Sequence, residues 1–370
     1  MIKKKAAPVK VQPQDPALIL YTSGTTGQPK GALLSHEAFL EELCLVSDQT
    51  HPTSEDWVLN ALPLFHIFAL MFGFLGPIYS GATTVILKSF QPEHYITSLM
   101  KYPITITEIV PTIAFILLQI AEKAPQVPQF PKLRQVICGA SALSIEVHRK
   151  LEETFKVHVY EGYGLTEACM AGCLNTTEGK NRKWGSVGKP WPGHNEIAIF
   201  NDQSKSLAVG QIGEIVIRGK NLMLGYLKDP KATAETLRNG WLHTGDLGYL
   251  DQDGYLYIIG RKKEMIIVGG ENVYPREVEE ALAMIPEIAE VAVIGFPHEK
   301  YGEEVVACVA LKNPGMDGKK IVDFAKEKLA PFKVPRKVLF FEKLPRNASG
   351  KVLKNDLKAQ LAENITSVME

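Results

Sequence analysis

YTSGTTGQPKG, residues 21–31, packs four aliphatic hydroxyls (Thr22, Ser23, Thr25, Thr26), three glycines and one lysine into eleven residues. Glycines let backbone N–H groups turn toward an anion, hydroxyls donate to its oxygens, and Lys30 neutralises charge. The stretch therefore reads as a polyphosphate loop rather than a merely flexible connection. It is not the GxxxxGK[ST] pattern of a P-loop hydrolase, because Pro29 precedes Lys30 and Gly31 follows it. On one side stands the apolar, β-rich ALILYT (17–22); on the other, LLSHEAFLEELCLV (33–46) has helical spacing with Ser35 placed to cap it. The predicted order is strand, glycine-rich loop, helix.

The alternation continues outward. TTVIL (83–87), ITEIV (106–110), LRQVICG (133–139) and VHVYEGYG (157–164) read as strands, and ITSLMKY, TIAFILLQIAEKA and IEVHRKLEETF between them as helices. Strands alternating with helices predict an α/β core with parallel strands. From about Gly185 to Leu256 short β-rich runs (EIAIF, GEIVIRG, YLYIIG) divided by Gly, Asn and Asp suit a small barrel or antiparallel sheet. Past Arg261 the pattern becomes α+β, with Pro275 at the first turn of PREVEEALAMI. The join is expected near Gly260 to Glu264.

Composition excludes several classes. With 45% hydrophobic and 22% charged residues the chain is globular rather than disordered or fibrous. Forty-one basic residues balance 41 acidic ones, so no net field draws nucleic acid or an anionic membrane. Five cysteines without a CxxC pair suggest a reducing, cytoplasmic setting. Cys169 and Cys173 share a helical spacing, but no second pair of soft ligands lies near. The start, MIKKKAAPVKVQPQD, reads as a mobile leader lacking an apolar secretion stretch. Val58 to Leu87 carries no charged residue, yet Pro63, Gly73, Gly76, Pro77 and Gly81 break it, so a buried strand, turn and helix is expected, not a membrane span.

Further motifs carry chemistry. In YEGYGLTEA (160–168), Tyr163 is a candidate for stacking on a base, Thr166 a hydroxyl donor and Glu167 a hard oxygen ligand for Mg²⁺. Taken alone, Glu167 is as readily a solvated helix-start acid. In the segment from Gly240 to Glu279, the two oxygens of Asp246 match a vicinal diol, and the Arg261 fork suits ribose or phosphate oxygen. The bland alternatives are a turn aspartate and a surface cation. PRNASGKVLKNDL (345–357) puts Lys351 just after a Ser-Gly turn, where lysines are usually just solvated.

Together, in order and spacing, YTSGTTGQPKG, LPLFHIFAL, the GAS at Gly139–Ser141, YEGYGLTE, HTGD, GRKKEMIIVGGENVYPREVE and PRNASGK resemble the adenylate-forming acyl-CoA synthetases. The resemblance runs from Pro16 to about Leu361. It implies an α/β adenylate-forming enzyme fold: a large α/β plus β-barrel domain, here 1–262 and shortened at its N-terminus, and a smaller mobile α+β domain, 263–370. It also implies ATP, Mg²⁺ and CoA as cofactor and substrates, with no nucleic acid partner. Thr22, Ser23, Gly24, Thr25, Thr26, Gly27 and Lys30 would form the phosphate loop. Gly139, Ala140 and Ser141, with Glu161, Gly162, Tyr163 and Gly164, would frame adenine. Thr22 and Glu167 would approach Mg²⁺, Thr166 the phosphates, and Asp246 and Arg261 the ribose. Lys351 matches the lysine that bridges carboxylate and α-phosphate, and His66 the gate between acyl pocket and thiol. Lys263 falls on the hinge, and Gly269, Gly270, Glu271 and Asn272 on the loop brought to the pantetheine tunnel.

The segments around His66, Ile109–Phe115 and Tyr163 are almost wholly apolar, and LPLFHIFAL holds no acid for an α-ammonium group, which favours a medium- or long-chain fatty acid, with an aryl acid also fitting. Peripheral membrane contact and a homodimer are compatible with the sequence. Relatives of this type carry a long segment ahead of the phosphate loop, which here begins at residue 21. An exposed sheet edge and a partly open acyl or CoA channel are therefore expected. Two other readings stay open: a nucleotide-binding remnant without turnover, and an adenylating enzyme that serves a carrier protein. The absence of an insertion between Arg261 and Pro275 favours CoA over the latter.

Overall fold

The computed structural model describes residues 9–22, 29–176, 182–347 and 350–366. Two compact units emerge: one comprises the chain to Ala198 with Val216–Thr244 and Asp253–Tyr255, the other Ile199–Ile215, Gly245–Gln252 and the chain from Leu256. The first eight residues of the expected leader lie outside the described residues; Gln12 and Asp15 close a turn just before the first strand.

In the first unit, β1 (Pro16–Thr22) and β2 (Lys30–Ser35) pair antiparallel. The expected strand–loop–helix order thus gains a second strand, folded back on the first before the helix His36–Thr50 begins. KGALLS is largely apolar and β-compatible, and four of its six residues are buried, so tertiary pairing overrides the helical spacing of Leu33 and Leu34. Ser35 is the cap as expected, its hydroxyl accepting from Ala38 N at 3.1 Å.

A six-stranded sheet follows from β3 (Trp57–Asn60), β4 (Thr83–Ile86), β5 (Ile106–Ile109), β6 (Gln135–Cys138), β7 (His158–Leu165) and β8 (Met170–Leu174), ordered β4-β3-β5-β6-β7-β8. All pairs are parallel except β7 with β8. The predicted α/β core is therefore present. Parallel strands need cover on both faces. Ile106 faces a layer with Leu34, Val46 and Phe68, while Ile109 faces one with Leu99, Leu117 and Leu151. The uncharged stretch after β3 forms a π-helical segment, Ala69–Leu75, continued by the short helix Gly76–Tyr79. No helix among the described residues is long and apolar enough to cross a membrane.

After β9 (Asn195–Phe200) and β10 (Gly213–Gly219), β11 (Gly225–Tyr226) pairs antiparallel with β2. β12 (Leu237–Arg238) pairs with β13 (Trp241–Leu250), and in the second unit β13 continues against β14 (Leu256–Arg261), all antiparallel. These are the short strands expected between 185 and 256.

The rest of the second unit is built on β15 (Ile266–Val268), β16 (Glu271–Val273), β17 (Ile288–His298), β18 (Gly302–Leu311) and β19 (Lys337–Phe341). Helices Pro275–Leu282 and Gly318–Lys328 cover one face through Val278, Leu282, Ile321 and Ala325. Helix Lys354–Thr366 covers the other through Leu357 and Leu361. Gly269 and Gly270 form a two-residue hairpin turn with φ of 61° and 92°, a left-handed pair that glycine tolerates best. The expected Gly269–Asn272 loop is accordingly only two residues long, because Glu271 and Asn272 already belong to β16.

Candidate active site

In the first unit Thr22 closes β1 and Lys30 opens β2, opposite one another in register, and the Thr22 hydroxyl donates to the Lys30 carbonyl at 3.4 Å. Ser23, Gly24, Thr25, Thr26 and Gly27 lie outside the described residues. The Lys30 ammonium stands 5.1 Å from the ring centre of Tyr226 on β11. Tyr226 donates its hydroxyl to Glu167 Oε1 at 2.8 Å. Burial, with the Glu167 charge beside it, pushes the Tyr226 pKa up, so the hydroxyl keeps its proton and remains a donor. Glu167 sits in a single 3₁₀ turn, Thr166–Ala168, at the end of β7, and its carbonyl accepts from Met223 N at 2.8 Å. Lysine, tyrosine and carboxylate thus form one contact chain, with the Thr22 hydroxyl next to Lys30 across the strand pair. Among the described residues no group of three or more His, Cys, Asp or Glu could hold a metal. A Mg²⁺ at Glu167 would take its other ligands from phosphate and water, the usual habit of this hard cation.

Gly139 follows β6 and Gly162 lies on β7; a Cβ built on Gly139 would come 3.7 Å from the Gly162 carbonyl oxygen, so the two predicted adenine segments are neighbours. Ala140 is left-handed at φ 65°, and both Ala140 and Ser141 are exposed. Glu161 faces inward at 2% exposure: its Oε1 accepts from Leu143 N at 3.3 Å, and His148 Nδ1 lies 3.9 Å from Oε2. Its carboxylate fixes the loop that follows Ser141. Tyr163, on the same face of β7, is 8% exposed and packs its ring against Gly172, whereas Gly164 is exposed. His66 is half-buried in the turn that enters the π-helical segment, its N–H bonded to the Pro63 carbonyl at 3.0 Å. Burial lowers its pKa, so the ring is neutral near pH 7.

The second unit holds the other predicted residues. Asp246 on β13 and Arg261 on β14 are cross-strand partners, with Arg261 Nε 3.1 Å from Asp246 Oδ1. Asp246 is therefore a strand residue and not a turn aspartate; its side chain is 9% exposed against 41% for Arg261. Lys263 is exposed in the turn Lys262–Glu264. Lys351 sits on a turn closed by the Arg346–Val352 bridge, with its N–H on Asn347 Oδ1 at 2.9 Å. Partial burial and the Arg261 guanidinium push the Lys351 pKa down; Glu264 and Asp246 oppose this, and Lys354 adds weakly to the fall. Arg261, Asp246 and Lys351 are thus electrostatic neighbours, although about a hundred residues separate the first two from the third.

A family model described as AMP-binding enzyme matches residues 2–227, and one described as AMP-binding enzyme C-terminal domain matches residues 277–351. The chain belongs to the AMP-binding enzyme family. Its fold is the adenylate-forming enzyme fold, as the motif resemblance implied. Indoleacetate–CoA ligase of Aromatoleum aromaticum is 39% identical over 358 residues, covering 95% of this chain and 69% of the relative. A long-chain-fatty-acid–CoA ligase of Bacillus subtilis is 38% identical over 360 residues, 96% of this chain and 64% of the relative. O-succinylbenzoate coenzyme A synthetase of Bacillus subtilis, solved with ATP and magnesium ion, superposes at a TM-score of 0.84 with 34% identity, covering 96% of this chain and 73% of that one. This AMP-binding enzyme chain therefore spans roughly two thirds of the length of the relatives it matches.

Sequence reasoning missed Tyr226, Lys354, Glu264 and Glu279. Tyr226 stands in an ordinary-looking LGYLKD run, and only the pairing of β11 with β2 sets it beside Lys30. Lys354 carried a faint signal, lying three residues after Lys351 at the start of a helical pattern.

Proposed function

We propose that this AMP-binding enzyme is an ATP-dependent, AMP-forming acid–thiol ligase that joins a medium- or long-chain fatty acid to CoA. The carboxylate oxygen attacks the α-phosphorus of ATP and pyrophosphate leaves; the CoA thiol then attacks the acyl carbon, losing its proton as AMP departs. Activation is needed because a carboxylate is a poor electrophile. The observation that carries the reading is the Lys30–Tyr226–Glu167 chain beside Thr22, which sets a cation, a hydroxyl and a hard oxygen ligand where the glycine-rich loop leaves and re-enters the sheet.

Thr22, Lys30 and Thr166 act on the phosphates, and Gly139–Ser141 with Gly162–Gly164 on adenine. Asp246 and Arg261 hold the ribose. Glu167 and Thr22 would hold Mg²⁺, which would supply charge neutralisation at the phosphates. Lys351 supplies a donor to the same charge. Neutral His66 lines the acyl entrance, and Gly269–Asn272 serve the pantetheine. The domain boundary falls at 262/263, with Lys263 as the hinge between half-reactions. Phe68, Ile67 and Leu62 near His66 support an apolar acyl group. Five free thiols suit a cytosolic location, and magnesium-dependent lipid metabolism follows from the substrate. Peripheral membrane contact and a homodimer complete the reading.

The test is incubation with ATP, Mg²⁺, CoA and a panel running from C8 to C18 fatty acids through indoleacetate, following AMP, pyrophosphate and thioester. AMP with acyl-CoA in preference for the fatty acids supports the proposal; turnover of aryl acids alone would move the substrate class. The same assay distinguishes one second reading, a nucleotide-binding form without turnover. Tight ATP binding with no product would select it.

A further inference from the structure

The second unit contains a half-buried cation that this chemistry leaves unused. The Lys354 ammonium lies 2.8 Å from Glu279 Oε1 and 3.0 Å from Glu264 Oε2, with its side chain only 20% exposed. Glu279 is fixed in turn, since Oε1 accepts from Val293 N at 2.8 Å on β17. Glu264 closes the turn that follows Arg261, and Lys354 starts the helix three residues after Lys351. Lys354 therefore ties the segment bearing Lys351 to the segment bearing Arg261. Three cations (Arg261, Lys351, Lys354) balance three carboxylates (Asp246, Glu264, Glu279). Asp246 is already taken by Arg261, and Glu264 and Glu279 by Lys354. The Lys351 ammonium is left with no ion pair among the described residues, although the Glu264 charge is the strongest influence raising its proton affinity.

We propose that Lys354 is a positioning residue: by holding Glu264 in a partly buried ion pair it withholds from Lys351 the carboxylate that would otherwise capture it, leaving the Lys351 ammonium free for substrate. This rests on the adenylation role given to Lys351 above. The charged groups around Lys351 are Arg261, Glu264, Asp246 and Lys354; around Lys354 they are Glu264, Glu279 and the Cys308 thiol, which burial pushes up to about 12. Removing the Lys354 charge gives Glu264 to Lys351, so Lys351 holds its proton harder and is drawn from substrate. Removing the Glu264 charge does the reverse to the proton.

Opposite signs at two partners of one ion pair distinguish this from a merely structural role. Competitive acetylation of Lys351 across pH, read by peptide mass spectrometry on the full chain, should show its midpoint raised by about half a unit in Lys354→Met and lowered similarly in Glu264→Gln, with Lys354→Arg close to wild type. In ATP–pyrophosphate exchange, Lys354→Met should lose about tenfold in kcat with KM for ATP moved less than about twofold, and Lys354→Arg should restore it. Shifts of the same sign, no shift in either variant, or wild-type kcat in Lys354→Met would overturn the proposal. Should Lys354→Met fail to fold by circular dichroism, the Glu264→Gln shift decides alone. A wild-type chain that exchanges no pyrophosphate would sink the adenylation reading, while the labelling midpoints would still report on the ion pair.

Discussion

Replacing Tyr226 by Phe removes one oxygen and keeps the ring under Lys30. The lost contact is the 2.8 Å hydrogen bond to Glu167 Oε1. A hydrogen bond to a charged partner contributes about 1.5–3 kcal/mol to the state that needs it. Glu167 is only partly buried, so water replaces some of that, and the lower end, about 1.5 kcal/mol or roughly tenfold, applies. The cation–π contact, about 0.5–1 kcal/mol, survives because the ring centre stays 5.1 Å from the ammonium. Tyr226 holds one carboxylate oxygen and thereby aims the other, so its loss should weaken an oriented cation ligand. Half-saturation by free Mg²⁺ in pyrophosphate exchange at fixed ATP should therefore rise about tenfold in Tyr226→Phe, with a further few-fold in Tyr226→Leu as the cation–π contact goes. A tighter Mg²⁺ response in Tyr226→Phe would mean that tyrosine competes with the metal rather than aiming its ligand. An unchanged response there and in Glu167→Gln would remove Glu167 from the metal site altogether.

Lys351→Ala should cost about 10²-fold or more in pyrophosphate exchange while thioester formation from supplied acyl-adenylate persists, since the lost donor acts on charge made only in the first displacement; equal loss in both halves would contradict the role. Lys263→Pro should preserve adenylate formation and block thioester formation if the turn at 262–264 is the hinge, which separate half-reaction assays read directly. Glu108, fully buried on β5 with both carboxylate oxygens unpartnered, has its pKa raised well above 4.5 by burial. An acid whose folded pKa is raised binds an extra proton when folded, so its stabilising effect is lost as pH climbs from the unfolded value toward the folded one. Glu108→Gln should therefore melt higher than wild type at pH 8 and show less decline in melting temperature between pH 5 and pH 8; an identical pH slope in both would contradict the burial argument. The opposite trend below pH 4 belongs to Asp56 and Glu152, each held down to about 2 despite burial by hydrogen bonds and charge, from Arg134 and Thr105 in one case and His148 and Arg182 in the other.

Much of the fold was legible because its signals are local. A parallel strand covered on both faces shows as a short run dominated by apolar or β-branched residues, and QVIC and ITEI are such runs even with Gln135 and Glu108 in them. Ser35 was readable as a cap because capping depends on the few residues after it. The second strand at 30–35 was hidden, since leucines at 33 and 34 satisfy a strand or a helix equally and only the partner β1 chooses. The turn at Gly269–Gly270 looked longer than it is for the same reason: the register with β15 decides where Glu271 joins the sheet.

The site divides along the same line. The types of side chain proposed for a nucleotide (hydroxyls and glycines around Lys30, a hard acid at Glu167, an acid at 246) were readable as candidates in their motifs, and Lys351 through the family resemblance, because chemistry follows residue identity and spacing within a motif. Which groups remain available was decided only by tertiary structure. Glu161 spends its carboxylate on a loop amide, and Tyr226 enters from a strand sixty residues beyond Glu167. Glu264 is bound by Lys354 rather than by Lys351. Ion pairs and hydrogen bonds are settled by distances of about 3 Å between residues far apart in the chain, and a sequence carries no measure of those distances until the sheets have fixed their register.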